Sequence, residues 1–206
     1  MRFTIKLLLV GNTINRKGVT MRLLHDHSAE LKTVDIALIS VLSAMWIVLH
    51  LYFGPLGFQL LHLPIFCDIS AFLTLIIAVW IIGKFGGASA IGIIGSLIVM
   101  GIRSAPFQLG FLASAIIFDV LCLAIRHRPL KGTASMLGLS IITIVSAYIA
   151  GAIIGIFFMA NEFSTTAALT FWGGWHAVGG LLSVIIALPI IGSLEKAGVR
   201  RLKGET

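Results

Sequence analysis

The chain has 206 residues, 58% of them hydrophobic and only 11% charged, with a formal net charge of +7 and a mean hydropathy of +1.07. A soluble domain carries about a quarter charged residues, so the composition excludes one and indicates an integral membrane protein. The pI near 9.9 does not argue for nucleic-acid binding, because the basic residues lie at the ends of apolar runs and form no patch.

Residues 1–33 read as a polar cytoplasmic lead-in. Within it, Phe3 to Val10 is apolar but interrupted by Lys6. The run is far shorter than the roughly 20 residues a spanning helix needs. No small-residue cleavage site follows it, and Met21 is an alternative start that would leave residues 1–20 untranslated. His25 and His27 form a His-x-His pair of the kind that can bind a metal, yet no third ligand is near in sequence. They read as part of a solvated lead-in, and no metal site or cofactor is expected.

Six apolar spans are then predicted, at about 35–53, 64–82, 85–102, 107–125, 135–159 and 169–193. The fold class is thus an all-α bundle of six transmembrane helices over 34–195, followed by a basic tail over 196–206. Gly54 to Leu63 reads as a Gly/Pro loop that stays apolar enough to lie in the interface. The third span places Ala88, Gly92 and Ser96 at spacings of four, a small-residue stripe that lets neighbouring backbones approach. This span is expected to be the helix around which the others pack. The device recurs at Ala147, Gly151 and Gly155, and again at Gly179, Ser183 and Ala187. Cys67 and Cys122 fall in different spans, with no metal-type pair between them.

Charge sets the expected orientation. Fourteen of the 15 Lys and Arg fall in the lead-in, at Lys84, between Arg126 and Lys131, and from Lys196 onward. With six spans these all share one side, and the positive-inside rule makes it cytoplasmic, as are both termini. Arg103 is the one basic residue on the other side. It marks the mouth of a site, or else it snorkels to lipid phosphates from the end of a packed helix.

Polar residues at depth are costly in hydrocarbon, so each is a candidate for function. Asp119 is the deepest acid, open to substrate contact, structural ion pairing or proton coupling. Asp68 lies nearer a span end and tells less. The sixth span opens with Phe171, Trp172, Trp175 and His176. Trp172 and His176 are one turn apart and share a face with Gly179 and Gly180. A pair on a packed face fits a ligand pocket, whereas Trp175 and Phe171 suit an interfacial aromatic belt. Tryptophan can stack on a planar ring, and neutral imidazole both donates and accepts. His50, Gln59, His62, Gln108, Asn161 and Glu162 lie on the same side and are further candidates to close the pocket. No G-x-S-x-G, H-E-x-x-H or phosphate-binding Gly-rich motif occurs, so neither an enzyme nor an ATP-driven motor is expected.

The first-span pattern IALISVLSAMWIVL (Ile36 to Leu49), the segment FGPLG (Phe53 to Gly57) and the ending ALPIIGSLEKAGVRR (Ala187 to Arg201) carry a family resemblance. Over 32–203 the chain resembles the substrate-binding S components of energy-coupling-factor transporters. The resemblance implies a protein in the plasma membrane of a prokaryote that captures a vitamin or precursor at the outer face. It also implies two kinds of partner, a transmembrane T component and a pair of ABC-type ATPases. FGPLG is similar to S components for the hydroxymethylpyrimidine precursor of thiamine, which suits a Trp/His pocket, whereas Arg103 suits a carboxylate or phosphate. The family's first span carries an Ala-x-x-x-Ala pair that meets the T component. Here Ala37 is followed by Val41, and the small pair Ser40 and Ala44 offers the same surface shifted round the helix. The expected binding set is Arg103, Gln108, Asp119, Trp172, Trp175 and His176. The competing expectation is a proton-coupled carrier or membrane enzyme built on Asp119.

Overall fold

The computed structural model describes residues 31–125, 133–162 and 164–199. His25 and His27, the basic loop over 126–132 and the end of the tail lie outside the described residues. Within them the chain is helical, with no strand. The helices are α1 (Thr33–Leu61), α2 (Ile65–Ile81), α3 (Gly87–Arg103), α4 (Gln108–Cys122), α5 (Thr133–Phe158) and α6 (Thr165–Lys196). Three of them, α1, α5 and α6, are long and apolar enough to cross a membrane. The ends of α5 and the start of α6 are wound as π-helical turns, Ile154–Phe158 and Ala168–Trp172.

The first boundary differs from expectation. Gly54 to Leu61 is helical, and α1 runs 29 residues from a capping box at Lys32 and Asp35 to His62 in the left-handed region (φ 55°). The glycines that suggest a loop serve packing instead. A Cβ at Gly57 would stand 2.8 Å from the Phe66 ring, and one at Gly54 would stand 3.1 Å from Cys67 Sγ. Both therefore let α2 lie close against α1.

The helices form a closed ring in the order α1, α2, α6, α5, α4, α3, returning to α1. The expectation that α3 is the central helix is corrected. It is α2 that contacts each of the other five, and twelve of its 17 residues are buried, against seven of 17 in α3. Its buried residues, Phe72, Leu75, Ile76 and Trp80 among them, cover most of its circumference and leave one partly exposed stripe, Phe66, Ile69, Leu73, Ile77 and Ile81. A helix apolar all round belongs in the interior.

The small-residue stripes act as proposed for close helix contact. A Cβ on Gly92 would fall 2.1 Å from that of Ala115, and one on Gly95 would strike the Trp46 ring at 2.9 Å. On the other flank Gly180 faces Ala147, and Gly155 faces Ala168. Such contacts matter where lipid tails are as apolar as the core, because van der Waals packing then holds the helices together.

Two acids fix one end of the ring. Asp35 pairs with Lys84 at 2.5 Å and accepts from the Lys32 amide at 2.7 Å. Asp119, on α4, reaches the start of α3. Its Oδ2 accepts from the Gly86 amide (2.9 Å), the Ser89 amide (2.9 Å) and the Ser89 hydroxyl (2.8 Å). Gly86 is the N-cap of α3 and has no side chain to offer, so a carboxylate from the next helix takes over the capping. Its charge also suits the positive end of the helix dipole.

Candidate functional site

At the end of the ring away from Asp119, a cavity of about 140 Å³ opens between α1, α2, α4, α5 and α6. Its walls are aromatic, formed by Phe58, Phe107, Phe111, Phe158 and Trp172, with Pro64, Cys67, Ile154 and Met159 filling the gaps. Besides the Cys67 thiol, two ionisable side chains line it, His176 inside and Glu162 on the exposed turn after α5. Each π-helical turn contributes to the wall, through Ile154 and Phe158 on one and Trp172 on the other. Such turns re-aim side chains within a helix and recur at functional sites.

His176 is held on three sides. Its Nδ1 lies 2.9 Å from Asp68 Oδ1, and both residues are essentially inaccessible. Its ring stands edge-on to Trp172, with centroids 5.8 Å apart, and tilted against Phe111 at 5.7 Å. The glycine stripes make this seat. A Cβ on Gly151 would come within 2.6 Å of His176 Cδ2, and one on Gly179 within 2.6 Å of Asp68 Oδ2. Ser183, one turn after Gly179, shares its hydroxyl proton between the Gly179 carbonyl (2.8 Å) and the Asp68 carbonyl (3.2 Å). Nδ1 donates to the carboxylate, so Nε2 is the atom His176 has to offer. It is buried and has no hydrogen-bond partner among the described residues.

A second polar group lies behind Phe111. His50 Nδ1 is 3.0 Å from Ser70 Oγ, and Nε2 is 2.8 Å from Gln108 Nε2. Ser70 spends its proton on the Cys67 carbonyl at 2.8 Å, so its oxygen accepts from His50 Nδ1–H. Nε2 of His50 then accepts from the Gln108 amide. His50 contacts the Phe111 ring edge-on at 5.2 Å, which makes this network the support for a cavity wall.

The expected binding set therefore divides. Trp172 and His176 do share a face and line the cavity. Gln108 is buried one layer back. Trp175 is half-buried against Phe171 and does not line the cavity. Asp119 is not at this site at all, being the cap of α3.

Arg103 is also elsewhere. It is exposed, and its Nη2 donates to the Leu51 carbonyl at 2.7 Å. Pro55 lies inside α1 four residues further on and has no amide proton to give that carbonyl. The guanidinium takes the place of the missing helix bond, and Arg103 is outside the cavity lining. Gln59, His62 and Asn161 are exposed and outside the lining, whereas Glu162 is part of it.

Asp68 is the residue behind the cavity that the sequence alone undervalues. Its partner is 108 positions away, a pairing no spacing rule exposes, and the only available signal was an acid inside an apolar span. No family model matches the chain, and no curated protein or solved structure is significantly similar to it.

Proposed function

We propose that the protein is the substrate-capture subunit of an energy-coupling-factor type importer in a prokaryotic plasma membrane. In this reading it crosses six times, with both termini cytoplasmic. The observation that carries the reading is the aromatic cavity closed by Trp172 and the Asp68–His176 pair, at the end of the ring opposite Lys32, Lys84 and Lys196. A planar ring fits between Trp172 and the phenylalanines, and His176 Nε2 supplies the polar contact that orients it. The three shorter helices, of 15 to 17 residues, run about 23–26 Å at 1.5 Å per residue, near the ~30 Å hydrocarbon thickness.

The chain has no motif for ATP hydrolysis, so uptake needs partners, and α1 offers them a face. Ala37, Ser40 and Ala44 are exposed along it, where a T-component helix can approach closely. Replacing Ala44 with Trp is expected to abolish coupled uptake while the isolated protein still binds ligand. Equal loss of both would assign α1 a purely structural role.

The deciding experiment is to purify the protein from cells and identify what co-purifies by mass spectrometry, then to co-express it with a T component and the two ATPases. A stoichiometric single-ring compound and ATP-dependent uptake are expected. A protein that carries nothing stoichiometric and supports no uptake overturns the reading. A second reading, a proton-coupled carrier, is favoured by one observation, the buried Asp68–His176 pair at the cavity. It requires uptake by this protein alone, driven by a proton gradient.

A further inference from the structure

We propose that the cavity selects a single-ring ligand carrying a protonated amine or another N–H donor, and that it rejects carboxylates and phosphates. The inference rests on the cavity being a capture site, but it does not depend on which motor drives uptake.

Size comes first. About 140 Å³ is close to the roughly 150 Å³ of an engineered apolar cavity that holds one benzene. That volume suits one aromatic ring better than a fused pair. The walls are flat aromatic faces on several sides, which suits a planar ring more than an alkyl chain.

Charge comes next. Among the described residues no Lys or Arg lines the cavity, and Arg103 Nη2 donates to the Leu51 carbonyl. Besides the Cys67 thiol, the ionisable groups that face the space are His176, with Asp68 directly behind it, and Glu162 at the mouth. Asp68 Oδ1 takes the Nδ1 proton of His176, and Oδ2 is buried with no hydrogen-bond partner among the described residues. The negative potential of that carboxylate therefore falls on the imidazole. Asp68 acts here as a positioning residue, since it fixes the ring tautomer. We take the imidazole as neutral, so that Nε2 presents a lone pair and asks for a donor. A ligand that offers only acceptors leaves Nε2 unsatisfied, and a ligand carboxylate meets Glu162 and Asp68 with no cation between.

The test uses three single-ring probes on the full-length protein in detergent: benzylamine, benzyl alcohol and benzoate. Binding is read by quenching of tryptophan fluorescence, with thermal shift as a second signal. Benzylamine is expected to bind at least about ten-fold more tightly than benzoate, a gap of ~1.4 kcal/mol. Benzyl alcohol should fall between them, and 2-naphthylmethylamine should bind more weakly than benzylamine. Glu162→Gln should weaken benzylamine by about three-fold, as befits an exposed charge, and leave benzyl alcohol unchanged. His176→Phe keeps the ring but removes the acceptor, and it should weaken benzylamine about ten-fold or more.

Tighter binding of benzoate, or no saturable binding by any probe, overturns the proposal. Equal binding of all three also overturns it and marks an unselective apolar cleft. The ranking is measured on the native protein, so it decides the matter even if His176→Phe fails to fold. Failure of ATP-dependent uptake with the ranking intact would remove the motor assignment and leave the ligand class standing.

Discussion

Asp119 and Asp68 are both fully buried carboxylates on helices of the same ring, and they do opposite things. One Asp119 oxygen is met by two backbone amides and a hydroxyl, all within 2.9 Å, and it joins α4 to the start of α3. Asp68 has a histidine on one oxygen and, among the described residues, no hydrogen-bond partner on the other, and it stands one residue away from open space. An acid at depth is therefore not in itself a functional signal. The distinction lies in whether its hydrogen-bonding capacity is spent within the fold. Saturation makes a strut, and an unfilled valence beside a cavity makes a site.

Substitution at the two acids should separate these roles. Asp119→Ala strips the partner from two helix-start amides and the part-buried Ser89 hydroxyl. It should cost about 2–4 kcal/mol, combining a lost N-cap with unsatisfied donors. Thermal melting should fall sharply, while the fraction that remains folded binds benzylamine as before. Loss of binding out of proportion to folding would return Asp119 to the site. Asp68→Asn keeps the shape and removes the charge. Melting should hold or rise, because an incompletely paired buried charge costs stability. Benzylamine affinity should drop about ten-fold, since charge-assisted hydrogen bonds are roughly twice as strong as neutral ones. A large loss of melting temperature without a change in affinity would make Asp68 a second strut.

The sequence made the helices legible because their signal is local. Five of the six lie within a few residues of the expected spans, and the stripe residues Gly92, Gly151 and Gly179 do sit at close helix contacts. The one misplaced boundary, after Phe53, comes from residues with two uses. Gly54 and Gly57 are spaced like a loop, yet both face α2, and Pro55 is tolerated because another helix supplies the missing bond. Within the site, Trp172 and His176 are one turn apart and so could be read together. Asp68, Phe111 and Glu162 join them only through tertiary packing, and the π-helical turns that aim Trp172 and Phe158 have no periodicity signature. The central place of α2 was hidden for a related reason. Most residues of α2 are apolar, so its broad buried face does not stand out in the sequence as the glycine stripe of α3 does.

The smallest expected effect tests the role given to Arg103. If its guanidinium stands in for the amide that Pro55 lacks, the two residues are energetically coupled through the Leu51 carbonyl. Arg103→Ala alone should cost no more than about 1 kcal/mol, because both Arg103 and the half-exposed Leu51 lie where water or lipid headgroups can replace the bond. Pro55→Ala restores an amide proton four residues after Leu51, so the ordinary helix bond can form. In that background Arg103→Ala should cost almost nothing. A double-mutant cycle on thermal melting reads the difference, with a coupling of roughly 0.5–1 kcal/mol expected between residues sharing one acceptor. Equal costs in both backgrounds would show that Arg103 does something other than satisfy that carbonyl. Benzylamine and benzoate titrations of the same variants complete the comparison. Unchanged ranking keeps Arg103 outside the cavity's chemistry, whereas a gain in benzylamine affinity at the expense of benzoate would show that its charge reaches the ligand after all.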